Sequence, residues 1–298
     1  MRIVAEHVTV EAPATIAHLG PAYDCLACAV TLRDRFLVRP IAGASRLTVH
    51  GQSMDESCAV ESTTFVKALR AGLEFVGAPQ VGVDLYAHHR ISEYGGLGRD
   101  AAHTVAALLA VRALINEPEA LSDDDVLILA TEIDGRAPQI ASTLYGGCQL
   151  AWHDDERIRV TACAVSDGLP FTILIPPGRH RISQRRLHQV LPDKITHRDA
   201  VFSMARMGLL LHALAGEGEL LFHATEDRLH QEYQRALLPG STAVMDVLRD
   251  RGYPAVIASG GPSVLVLASL DEQSHRELHD AGWKVLNLAV ERQGSVLL

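Results

Sequence analysis

The chain has 298 residues, 48% of them apolar and 21% charged, with a net charge of −9 at pH 7. That is the composition of an ordinary globular protein with room for about two domains. The acidic balance without a basic run argues against nucleic acid as a partner, and no apolar stretch approaches the ~20 residues that would span a bilayer.

In chain order, residues 2–11, 35–41, 46–51 and 80–88 alternate as strands do. The N-terminus does not resemble a signal peptide, and five scattered cysteines point to a reducing cytoplasm. Cys25 and Cys28 form a lone C-x-x-C, read as two small apolar residues of a core helix. Residues 61–77 suit a helix, with Phe65, Leu69, Leu73 and Val76 at helical spacing. The stretch Tyr94-Gly95-Gly96-Leu97-Gly98-Arg99-Asp100-Ala101-Ala102-His103 reads as a Gly-rich loop entering a helix over 100–115. Such a loop has the geometry that cradles phosphate. Asp100 stands where the phosphate would sit, as an N-cap or first-turn residue, and fills the anion site with its own charge.

A second helix fits 121–132 with Ser122 as its cap, and Gly146-Gly147 breaks the chain before a strand at 148–152. Strands follow near 158–164 and 171–176, and helices at 197–214 and 241–251. The tail reads strand 255–258, Gly-rich turn 259–262, strand 263–269, helix 271–281 and strand 283–291. A soft boundary between 155 and 170 gives domains of 1–160 and 161–298. The pattern is mixed α+β in two layers.

Three ordered motifs carry a resemblance. They are Ala12-Pro13-Ala14-Thr15-Ile16-Ala17-His18-Leu19-Gly20-Pro21-Ala22-Tyr23-Asp24, the Gly96-Leu97-Gly98 turn, and Ala258-Ser259-Gly260-Gly261-Pro262-Ser263. Together they resemble the GHMP superfamily of small-molecule kinases. Arg181-Ile182-Ser183, Asp199-Ala200-Val201-Phe202 and Leu229-His230-Gln231-Glu232-Tyr233 point to its homoserine kinase branch. The resemblance spans nearly the whole chain. It implies a two-domain α+β GHMP-kinase fold, with an N-terminal domain like ribosomal protein S5 domain 2 and a ferredoxin-like C-terminal domain. ATP would lie over the Gly-rich loop and the small substrate between the domains.

The departures from that family cluster. Its loop reads Gly-Leu-Gly-Ser-Ser-Ala, and the serines are Arg99 and Asp100 here. A carboxylate beside a triphosphate is repulsive, by about 4 kcal/mol at ~4 Å and an effective dielectric near 20. The family segment Glu-x-Glu-Gly-His-Pro-Asp-Asn becomes Glu132-Ile133-Asp134-Gly135-Arg136-Ala137-Pro138-Gln139. Glu132 is taken as the implied metal-ligand position. The family Asn near the N-terminus is His18, while Asp24, an implied substrate contact, remains. A family Thr and Arg become Gln184 and His188, and Arg235 stands one place beyond an expected arginine.

The replaced residues stay polar, which suggests that they bind something. His18, His188 and Glu132 are the candidate acid–base groups, since imidazole serves best near neutral pH. Asp24, Arg136, Gln139, Gln184 and Arg235 are candidate substrate contacts, with Arg136 as an anion clamp. Gly96, Gly98, Arg99, Asp100 and His103 form the altered phosphate loop. Zinc on three histidines and a carboxylate lacks a spacing signature, and His88, His89, His212 and His223 read as surface or strand-end residues.

Three functions fit these residues. One is nucleotide-independent acid–base chemistry (elimination, cyclisation or isomerisation) on a small polar, amino-acid-like molecule, with no cofactor and no metal expected. Another is a divergent kinase of homoserine or a related alcohol, using ATP and magnesium. The third is a non-catalytic binding or regulatory protein. A homodimer is compatible with each.

Overall fold

The computed structural model describes residues 1–51, 59–155, 157–178 and 182–298, which leaves Arg181 of the Ile182-Ser183 motif outside the described residues. The first sheet is built on β1 (Val8–Ala17) paired antiparallel with the long β2 (Leu26–Ile41). β3 (Arg46–Gly51) runs parallel to β4 (Gly82–His89), and β4 pairs with the second half of β2. β5 (Cys148–Asp154) pairs with the start of β2 and with β6 (Arg157–Cys163).

Helices α1 (Thr64–Phe75), α2 (Arg99–Leu114), α3 (Asp123–Asp134) and α4 (Ala137–Tyr145) belong to this half, with α2 and α4 packed on β1. Nearly every residue of α2 is buried. A helix buried on nearly all sides belongs at the centre of a core, and its alanines let neighbours approach closely. Gly72 of α1 lies against Leu108 and Val111 of α2. Ser122 caps α3 in a full capping box with Asp125.

The second sheet has the order β10 (Lys284–Leu288), β7 (Phe171–Ile175), β9 (Val264–Val266), β8 (Ala255–Ile257). Around it lie α5 (Gln184–Gln189), α6 (His197–Ala215), α7 (Leu221–Ala224), α8 (Gln231–Gln234), α9 (Pro239–Asp250) and α10 (Glu272–Asp280). The sheets change between Cys163 and Phe171. The tail then returns: Glu291 N–H donates to Ala29 O, and β11 (Val296–Leu297) pairs with β1. One buried cluster runs from Val10 and Phe36 through Phe171 and Ile173 to Leu210 and Leu265, so both sheets share a core.

The architecture is the mixed α+β fold expected, with local corrections. Cys28 lies in β2 opposite Cys148 rather than in a helix, and Cys25 precedes the strand. Residues 26–30 are buried on both sides and therefore do not alternate, so periodicity could not separate strand from helix there. Pro138 disguised α4, although proline is tolerated in the first turn of a helix.

Candidate active site

Two polar centres meet where the loop after β1, the Gly96–Gly98 turn, the start of α5 and the Gly260–Gly261 turn converge. Backbone geometry marks the place. Among the described residues, the non-glycine positions with positive φ are His18 (58°), Asp24 (54°), Ser259 (50°) and the turn residue Asp155 (55°). Left-handed backbone costs roughly 1–3 kcal/mol at such residues and persists where the surroundings enforce it. Here they do: Ala17 N–H donates to Ser259 Oγ at 2.8 Å, and Ser259 N–H donates to Ala17 O at 2.8 Å. The turns themselves are glycine-dependent, since a Cβ at Gly98 would collide with Thr15 Oγ1 and one at Gly96 would lie 2.5 Å from Gly261 O.

The first centre is His18, Asp24 and His188. His18 Nε2 lies 2.9 Å from Asp24 Oδ1, and His188 Nε2 lies 3.4 Å from Asp24 Oδ2. His18 is buried, whereas Asp24 and His188 are exposed. Burial lowers the His18 pKa despite the bond to Asp24, so the ring is neutral near pH 7. Neutral His18 that donates through Nε2 keeps a lone pair on Nδ1, which is buried without a hydrogen-bond partner. A Cβ at Gly260 would approach both that Nδ1 and Gln184 Nε2 to 3.9 Å. Burial raises the Asp24 carboxyl, but the His18 hydrogen bond and the nearby imidazoles overcome it and hold the pKa below the ordinary range.

Tyr23 packs at a tilt against both His18 and His230, with ring centroids 4.5 Å from each. Burial first, and then the charge of Asp24, raise its phenol pKa. His230 Nδ1 lies 3.0 Å from the buried Asp227, whose carboxylate also accepts the backbone N–H groups of Leu229, His230 and Gln231. Gln139 is buried in the first turn of α4 with Nε2 unpartnered.

The second centre faces a cavity of about 530 Å³ lined in part by Arg99, Asp100, His103, Asp134, Arg136 and Gln184. Arg136 Nε and Nη2 clamp Asp134 at 2.9 and 2.5 Å, and Nη2 is 4.0 Å from Asp100. Arg136 is thus engaged by carboxylates rather than waiting for an anion. Burial raises the Asp134 pKa and Arg136 only partly offsets it. Asp100 lies in the first turn of α2 and accepts from Thr64 Oγ1 at 3.3 Å. Arg99 is buried at the same helix start. Its Nη1 is 3.7 Å from Glu93, and both terminal nitrogens lack hydrogen-bond partners.

No family model matches the whole chain or part of it. Whole-protein comparison does. The chain is 35% identical over 296 residues to a homoserine kinase of Streptomyces coelicolor, covering 99% of this chain and 95% of that protein. It is 36% identical over 298 residues to a homoserine kinase of Clavibacter michiganensis, covering 97% and 93%. The chain belongs to the homoserine kinase family. A crystal structure of homoserine kinase from Cytophaga hutchinsonii superposes with a TM-score of 0.81 at 25% identity, over 99% of this chain and 98% of that one. A mevalonate kinase from L. major superposes with a TM-score of 0.74 at 13% identity, over 98% of this chain and 99% of that one, and so shares the fold.

Several candidate residues sit differently from expectation. Glu132 is exposed and outside the cavity wall, while Asp134 lines it. The glycine at 135 was the available signal, because the second carboxylate of the family motif, not the first, precedes the glycine. Arg235 is bound to Glu232 and Asp246 on the surface. His103 pairs with Asp34 and not with His18 or His188. His89 is buried against Asp34, whereas His88, His212 and His223 are exposed. Asp34 was missed, although alternation along β2 puts it on the apolar face with Leu32, Phe36 and Val38.

A member of the homoserine kinase family is expected to hold ATP and magnesium. The residues here do not fit the metal: the guanidinium of Arg136 already spans Asp134 and Asp100. A divalent cation could reach the Asp134 oxygens only by displacing Arg136, which already occupies both of them.

Proposed function

We propose that this homoserine-kinase-like protein acts on a small polar, amino-acid-like molecule by acid–base chemistry that needs no nucleotide. The observation that carries the reading is His18: a neutral, buried imidazole oriented through Nε2 by Asp24, with an unpartnered Nδ1 facing the Gly260 turn and Gln184. That is the arrangement of a general base. His18 Nδ1 takes a proton from the bound molecule, and Asp24 stabilises the imidazolium that forms. His188, on the other oxygen of Asp24 and open to solvent, returns a proton to a leaving or rearranging group. Gln139 and Gln184 hold polar groups of the substrate, and Asp24 accepts from an amino group.

A thermal-shift screen tests this, because a ligand that binds the native state raises its apparent stability. Small amino acids and their hydroxy analogues are expected to stabilise the parent and not His18→Asn, which carries the family residue. ATP with magnesium is expected to have no effect. Magnesium-dependent ADP release with homoserine would overturn the proposal. It would favour the second reading, a divergent kinase of homoserine or a related alcohol, which has the cavity and the unpartnered Arg99 N–H groups on its side. Under that reading Asp100→Ala abolishes ADP release.

A further inference from the structure

We propose that Asp34, His89 and His103 form a binding site for one divalent transition-metal ion in the wall of the cleft. The three come from β2, the end of β4 and α2, and their sequence separations carry no metal signature. The fold brings one ligand atom of each to within 4.8 Å of the others. All three are almost fully buried. Two imidazole nitrogens and one carboxylate oxygen suit Zn²⁺ or a neighbouring d-block ion, whereas Mg²⁺ and Ca²⁺ prefer oxygen alone.

The donors are already oriented. Asp34 Oδ1 accepts from the N–H groups of Arg90 at 2.6 Å and Ile91 at 2.8 Å, which fixes the carboxylate and turns Oδ2 to the rings. His89 Nδ1 lies 2.9 Å and His103 Nε2 3.2 Å from that same oxygen. A tetrahedral ion with bonds of about 2.0–2.1 Å separates its donors by about 3.3 Å, close to the spacing of each ring nitrogen from Asp34 Oδ2. The rings stack with centroids 4.8 Å apart, and Phe36 packs edge-on against both.

Without an ion Asp34 Oδ2 accepts from both rings, from the N–H of His89 Nδ1 and that of His103 Nε2. His103 Nε2 is 3.2 Å from Asp34 Oδ2 and 3.4 Å from Arg99 Nε. One nitrogen cannot donate to the first and accept from the second at once. A cation takes the lone pairs of all three donors together, in place of the two N–H···O bonds to Asp34 and the Arg99 contact. Glu93, 3.7 Å from Arg99 Nη1, keeps that charge compensated. His89 and His103 both line the cavity, which supplies the access route. Three protein ligands leave a further position for water or a bound molecule.

The full-length protein, dialysed against chelator, is titrated with Co²⁺ and followed by its visible d–d absorption, then with Zn²⁺ in competition with a chromophoric chelator. One equivalent per chain is expected. His103→Asn should weaken binding by about a hundredfold or more, since it removes a direct ligand where outer partners alone cost 10–100-fold. Arg99→Met, which removes the positive charge beside the ion and leaves all three ligands in place, should tighten it by about tenfold or more. The Arg99 variant keeps the test valid if the histidine variant fails to fold. Absence of a stoichiometric site, or an affinity unchanged in either variant, overturns the assignment.

Discussion

Arg136→Met is the most informative single substitution. The Asp134 side chain retains 5% of its exposure and has the Arg136 guanidinium as a two-pronged partner. Removing one member of a buried ion pair typically costs 3–5 kcal/mol, because a desolvated charge is left behind. The Arg136 side chain is itself 22% exposed, so the low end applies, about 3 kcal/mol. At roughly 2–4 °C per kcal/mol for a domain of this size, the melting temperature falls by about 6–12 °C. The loss depends on pH with a definite sign. Burial already raises the Asp134 pKa, and without Arg136 it rises further. A carboxyl whose folded pKa lies above its unfolded value stabilises the fold when protonated and loses that stabilisation as pH rises. The gap between parent and variant is therefore largest at pH 8 and narrows toward pH 5. Adding Asp134→Asn should recover about half of the loss or more at pH 8, since no unpaired charge remains. Thermal melts of the parent and the two variants across pH are the assay. A single variant within about 0.5 kcal/mol of the parent at pH 8, the range of ordinary surface substitutions, or a gap that ignores pH, refutes the buried-pair argument.

The parent protein has its own pH signature. Burial lowers the pKa of His18 and of His103, so the unfolded chain takes up protons below about 6.5 before the native state does. Melting temperature should be level at pH 7–8 and decline as pH falls through 6.5 toward 5; a decline that His103→Asn leaves unchanged would remove His103 from the account. Gly98→Ala must place a Cβ against Thr15 Oγ1 at a φ of 67°, and a loss of about 2 kcal/mol or more in denaturant unfolding is expected. Arg235→Ala breaks only exposed pairs with Glu232 and Asp246, so stability should change by about 1 kcal/mol or less and ligand-induced thermal shifts not at all.

The sequence by itself determined the family and the fold. Glycines at 96, 98, 260 and 261 occupy left-handed turns that few other residues tolerate, and such local requirements are visible one residue at a time. The same holds for Ser122 as a helix cap, and for the alanine-rich run that became the central helix. It also brought His18, Asp24 and His188 under suspicion, and these three do converge. Tertiary structure alone decided which polar groups share an environment. Asp134 rather than Glu132 faces the cavity because the chain turns at Gly135, three residues past the exposed glutamate. Arg136 and Arg235 look alike in sequence, yet one is clamped in the cleft and the other paired on the surface. Asp34, His89 and His103 lie up to 69 positions apart and meet only because β2, β4 and α2 pack around one cleft. Propensity and periodicity act over a turn or a strand; pairing between distant side chains depends on how those elements are stacked, and that is a property of the whole core.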